Sequence, residues 1–190
     1  MKKFLCLSLV LALVAFGLSC KKKEEVNKLT EFDIDYSTNL SIPSSSMTVS
    51  SPTATPVSVE FTTPNVPTQQ SSKFSEAGTA QNLIDEIKMT RFNITAVSTS
   101  TTTTANLDYL KSLTIYIKAS GVGEEVVATK SNIPAGSTSV SMDLKDTNIK
   151  NYIFKDNIQF KVVAIFEATT PTNQTLKLDE TVHVKASLLK

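Results

Sequence analysis

Apolar and polar residues alternate along most of this chain, and the alternation has a period of two. In FDIDYSTNLSI, Phe32, Ile34 and Tyr36 alternate with Asp33, Asp35 and Ser37, and the apolar phase resumes at Leu40 and Ile42. That period is the signature of a half-buried strand. VSVEF repeats it with Val57, Val59 and Phe61 inward, and Pro64 and Pro67 are expected to end that strand. IKMTRFNITAV is a third strand, whose apolar phase slips between Met89 and Phe92. An extra residue in a bulge accounts for such a slip. Further strands follow from Leu113, Ile115 and Ile117, from EEVVATKSNI, and from Val140, Met142 and Leu144. In NIQFKVVAIFEA the inward set is Ile158, Phe160, Val162, Ala164 and Phe166. Val163 and Ile165 make the other face partly apolar too, which predicts a central strand. TLKLDETVHVKASLL closes the series with Leu176, Leu178, Val182, Val184 and Ala186 in one phase.

Turn and helix signals divide these strands. PSSSMTVSSPTATP reads as an irregular connection and STSTTTTAN as a loop. Gly121 with Gly123, Pro134 to Gly136, and Pro171 to Asn173 supply turns. A short helix is expected around Ala80 to Ile84, capped by Thr79 or Ser75. Spacings of three and four at Ile149, Tyr152 and Ile153 predict a second helical turn, capped by Asp146 or Thr147. About seven or eight short strands with regular turn signals and one or two short helices predict an all-β fold. The expected form is a two-sheet β-sandwich, immunoglobulin-like in general form. Nothing in the pattern supports alternating strand–helix units.

The first residues follow another logic. Lys2 and Lys3 precede an uncharged run from Phe4 to Leu18, the layout of a secretory signal peptide. The run is shorter than the roughly 20 apolar residues of a membrane span. It ends in Gly17-Leu18-Ser19-Cys20, then turns to Lys21-Lys22-Lys23-Glu24-Glu25. Gly17-Leu18-Ser19-Cys20 resembles the lipobox of bacterial lipoproteins, with Ser19 at the small-residue position and Gly17 where Leu is usual. The resemblance implies cleavage before Cys20 and a diacylglycerol on its sulfur. A plain signal peptide is the alternative. Stable anchoring takes more than one acyl chain, which a lipidated cysteine supplies, and the polarity change after it then needs no other cause. The expected organisation is a signal peptide over 1–19, a lipidated cysteine and charged tether over 20–30, and one sandwich domain over 31–190.

Lys23-Glu24-Glu25 resembles the Lys followed by two acidic residues that some Bacteroidota lipoproteins carry just after the cysteine as a surface-export signal. Retention on the periplasmic leaflet of the outer membrane is the alternative, the run then being a solvated spacer. The segments LKSLTIYIKA, IPAGSTSVSMDL and NIKNYIFKDNIQFKVVA are similar to a pattern found in Bacteroidota surface lipoproteins of unknown role. That resemblance spans roughly 87–185. It implies a fold and a compartment, the cell outer membrane, and no activity.

Composition narrows the remaining classes. The formal charge is +1 and includes Lys2 and Lys3, so the chain from Cys20 onward is slightly acidic, with both signs interspersed. A nucleic-acid partner is not expected from such a balance. Of two cysteines, Cys6 lies in the apolar run and Cys20 is the lipidation site, which leaves no disulfide. There is no Trp, which leans against sugar stacking. The single histidine, His183, shares the polar phase of Thr181 and Lys185, so zinc sites and imidazole-based nucleophilic catalysis lack their partners. Asp33 and Asp35 fall on one strand face and could ligate Ca²⁺ or simply guard a sheet edge. Asp143 and Asp146 carry the same pair of readings, capping against Ca²⁺. Paired carboxylates for glycoside hydrolysis are available at Asp85-Glu86, Glu124-Glu125 and Asp179-Glu180. Neighbours on a strand point oppositely, so no single pair serves as acid and base. No cofactor is expected and no catalytic residue is assigned. The sequence predicts a binding or structural module of the envelope, with an unidentified envelope protein or glycan as partner. A carboxylate-based hydrolase acting on glycans is the alternative.

Overall fold

The computed structural model describes residues 31–43, 57–97, 105–167 and 173–187 of the chain. The predicted lipobox, tether and export triplet lie outside the described residues, as do most of the Ser/Thr-rich connections. The strands are β1 (Glu31–Ile42), β2 (Val57–Thr62), β3 (Val66–Pro67), β4 (Ile84–Val97), β5 (Leu110–Ala119), β6 (Val122–Ser131), β7 (Ser139–Ser141), β8 (Asp143–Leu144), β9 (Asn157–Phe166) and β10 (Gln174–Ala186). Two short helices, α1 (Gln70–Glu76) and α2 (Lys150–Ile153), join them.

The strands form two antiparallel sheets, as the alternation predicts. One has the order β1-β10-β4-β7 and the other β2-β9-β5-β6-β8, with β3 also on β9. The expected two-sheet sandwich is therefore the fold observed. Its connectivity refines the immunoglobulin-like form. An immunoglobulin constant domain divides seven strands as four and three. Here eight principal strands divide as four and four, and among them every connection except β5–β6 crosses between sheets. That is the double Greek key of a jelly roll.

The inward phases build one core. Ile34, Tyr36, Leu40 and Ile42 of β1 and Phe92, Ile94 and Ala96 of β4 line the inner face of one sheet, and with the inner row of β9 from the other sheet they form one buried cluster. β9 lies between β2 and β5, the central place that its two apolar faces predict. The slip in β4 is a bulge: Val182 pairs with Met89 and Thr181 with Arg91, which leaves Thr90 as the extra residue. A second irregularity falls at Asp85. Both let a 14-residue strand keep Ile84, Ile87, Met89 and Phe92 inward despite spacings of three.

Four local expectations are corrected. The first helix is Gln70–Glu76, not 80–84, because Phe74 is the side chain that reaches the core and Gly78 at φ +69° ends the turn. Gln81–Leu83 is only a 3₁₀ turn, and Ile84 already opens β4. Pro67 lies in β3 instead of ending β2, at a sheet edge where its missing N–H costs no bond. Gly121 alone, at φ +73°, makes the β5–β6 turn, since Gly123 lies within β6. At α2 the Asn148 side chain accepts the Lys150 N–H at 3.2 Å, while Asp146 pairs with Lys88 at 2.7 Å.

The predicted Val140–Leu144 strand splits at Met142, with β7 on β4 and β8 on β6, so this segment crosses from sheet to sheet.

Candidate functional site

Among the described residues, one end of the sandwich gathers most of the irregular chain. β1 starts and β10 finishes there, and both helices and the β5–β6 turn sit beside them. Phe74 of α1 ties this end together, edge to face with Phe32 of β1 at 6.2 Å and with Phe154 after α2 at 6.1 Å. Two buried threonines fix the wall between β2 and β9. Thr63 accepts the Phe160 N–H at 2.9 Å, and the Thr68 hydroxyl donates to the Lys155 carbonyl at 2.5 Å. Between them opens a cavity of about 520 Å³, lined by Asn65, Ser120, Lys155, Asp156, Asn157 and Gln159. Its floor is Ala119 and the buried Ile158. Gln159 donates its amide N–H to the Thr63 carbonyl at 3.2 Å. Amides, a hydroxyl, the ammonium groups of Lys118 and Lys155 and a carboxylate offer both donors and acceptors. The set suits a polar ligand and holds no imidazole or thiol.

The outer face of the β1 sheet is a ladder of charges. Asp33 pairs with His183 across the β1–β10 rung, Nδ1 at 2.8 Å, and Glu31 lies 3.7 Å from its Nε2. Asp35 accepts from Thr181 at 2.5 Å and from Arg91 at 3.0 Å. The Thr181 hydroxyl first, and then the Arg91 guanidinium, hold its carboxyl below the usual range. Asp33 and Asp35 thus occupy the solvent side of an edge strand, Asp33 beside the His183 imidazole and Asp35 against the Arg91 guanidinium and the Thr181 hydroxyl. Asp143 meets Lys130 at 3.2 Å. Among the described residues, no group of three or more His, Cys, Asp or Glu could hold a metal ion.

The three carboxylate pairs separate as strand geometry requires. Asp85 accepts from the Ser187 hydroxyl, and Glu86 meets Lys88 at 2.9 Å. Glu124 sits between Lys161 and Lys118, which depress its pKa in that order, while Glu125 is exposed. Asp179 faces outward to Lys177 and Ser37. Glu180 faces inward and is fully buried, with neither carboxyl oxygen hydrogen-bonded among the described residues. Burial first, and the neighbouring Asp179 charge second, push its carboxyl up to about 8. A substrate in solvent cannot reach it. The signal was present in the sequence, because Glu180 falls in phase with Leu178 and Val182, yet the apolar run around it conceals the exception. The cavity residues carried no such signal, since they come from separate turns.

No protein-family model matches the chain, and no curated protein matches it. Among solved structures, a chain from Cocksfoot mottle virus is similar at 11% identity, covering 84% of this chain and 86% of that one, with a TM-score of 0.27. The fold assignment rests on the strand order, not on that likeness.

Proposed function

We propose that this chain is an outer-membrane lipoprotein, anchored through Cys20, whose jelly-roll domain is a binding or structural module of the cell envelope. The observation that carries the reading is the passage from the uncharged run Phe4–Leu18 through Ser19-Cys20 to Lys21–Glu25. The polar cavity, lined by amides with Lys118, Lys155 and Asp156, supports binding over chemistry. An envelope glycan or protein is the partner such a surface suits. About nine residues separate Cys20 from Thr30, so the domain stands at most roughly 30–35 Å from the lipid. No helix among the described residues is long and apolar enough to cross a membrane, and lipid is the anchor this reading requires. Cys20→Ala tests it. The variant moves from the membrane to the soluble fraction if the lipid holds the protein. Retention on membranes after a high-salt wash, in molecules that have lost residues 1–19, overturns the reading.

A further inference from the structure

Glu180 stands where every other inward residue of β10 is apolar: Leu176, Leu178, Val182, Val184 and Ala186. On its rung it meets Tyr36 of β1 and Phe92 of β4. Tyr36 donates its hydroxyl away, to the Thr68 carbonyl at 3.2 Å, and Phe92 has nothing to donate. Phe92 in turn packs on Phe160 of the opposite sheet, whose inward neighbours Ile158 and Val162 are apolar. The charges that act on Glu180 come from the outer face: Asp179, which disfavours ionisation, and Arg91 on β4, which favours it. The Tyr36 phenol is itself held neutral, by burial first and by Glu180 second. An unpaired carboxylate in such surroundings is strongly disfavoured, whereas the neutral acid is tolerated.

We propose that the Glu180 carboxyl is a proton-operated latch, over which the sandwich closes when the acid is neutral and loosens when the proton leaves. The proton is bound more tightly in the folded chain than in the unfolded one. Folded molecules therefore hold more protons between the unfolded value near 4.5 and the folded value of about 8. Stability falls as pH rises through that window and levels off above it. The remaining shifted carboxylates, Asp35, Glu124 and Asp179, move down, so their contributions change only at acid pH. The loosening is centred on the β1–β10–β4 rung, the middle of one sheet.

The test is the thermal melting of the purified protein between pH 5 and 9.5, a range that ends before the buried tyrosines ionise. The parent is expected to lose about 10 °C across it, scaled from about 2–4 °C per kcal/mol for a chain of this size. Glu180→Gln keeps the shape and cannot ionise, so its profile is flat to within a few degrees. Glu180→Leu is flat as well and melts above the parent at pH 9. A decline of equal size in all three overturns the proposal. Carboxyl ¹³C titration of the parent decides independently of any variant's folding. One glutamate resonance titrating several pH units above the others supports the latch, and all of them titrating near 4.5 sinks it.

Discussion

Phe92 on β4 and Phe160 on β9 meet edge to face, with ring centroids 5.4 Å apart and planes at 89°. Both rings are fully buried, and they come from opposite sheets. This pair joins the two layers directly above the Glu180 rung. A single aromatic contact of this kind adds about 0.5–1.5 kcal/mol beyond its area. The larger share comes from filling the space between the sheets. Phe160→Ala is expected to cost about 3–5 kcal/mol, and Phe160→Leu distinctly less, because it leaves a smaller void. Urea denaturation of the two variants checks this. Equal costs would mean that ring volume is not what the position supplies.

The bulge in β4 makes a sharper prediction. Met89 and Phe92 both point inward only because Thr90 is an extra residue on that strand. Deleting Thr90 leaves Met89, Arg91 and Phe92 in regular in-out-in order, and the inward set is kept. Deleting Asn93 instead puts Phe92 beside Ile94 and inverts one half of the strand, since a one-residue slip moves every side chain to the other face. The Thr90 deletion is expected to melt cooperatively with a modest loss. The Asn93 deletion is expected to show no cooperative transition. If both behave alike, the bulge does not set the register.

Much of this architecture is readable before any coordinates, and the reason is physical. A half-buried strand writes its two faces directly into the sequence, so β1, β5, β9 and β10 and even the Met89–Phe92 slip are visible. The four-residue α2 shows in the spacing of Ile149, Tyr152 and Ile153, but α1 leaves no comparable trace. Phe74 alone anchors α1, while the apolar pair Leu83-Ile84 suggests a helix where a strand begins. Connectivity is illegible for a different reason. Nothing in an alternating pattern says whether the next strand joins the same sheet, so the jelly-roll order emerges only from the pairings. The cavity is illegible too, since its walls are brought together by Thr63 and Thr68 from residues far apart in the chain. Glu180 is a different case: its phase points inward with Leu178 and Val182, and only its charge argues against that side.

The charged ladder on the outer face is expected to matter far less than the core. Asp35 accepts from Thr181 and Arg91, yet its side chain is 71% exposed and water screens both partners. Exposed pairs contribute about 0–1 kcal/mol. Its carboxyl is lowered in the folded state, so whatever it contributes is present above the unfolded value near 3.9 and is lost as pH falls through the folded one. Asp35→Asn should therefore cost under about 1 kcal/mol at pH 7, and the difference from the parent should be smaller at pH 3, below the unfolded value. Denaturant titrations at the two pH values measure it. A loss as large as that of Phe160→Ala would show that the ladder, not the core, holds β1 in place.

The remaining prediction concerns which side of the membrane the domain occupies. Acyl chains on Cys20 would fix the protein to a bilayer, but a hydrocarbon tail is the same on either leaflet and carries no information about side. Side must then be read by cellular machinery from residues near the anchor, and under the export proposal Lys23-Glu24-Glu25 are the residues read. If they form an export signal, protease added to intact cells removes the domain. Changing Glu24 and Glu25 to Ala then protects it, while lipidation at Cys20 and membrane fractionation persist. The lipidation control separates a sorting defect from a processing defect, because an unprocessed precursor would keep residues 1–19 and migrate more slowly. If the run is only a solvated spacer, the double substitution leaves protease accessibility unchanged, and the export reading of the triplet fails.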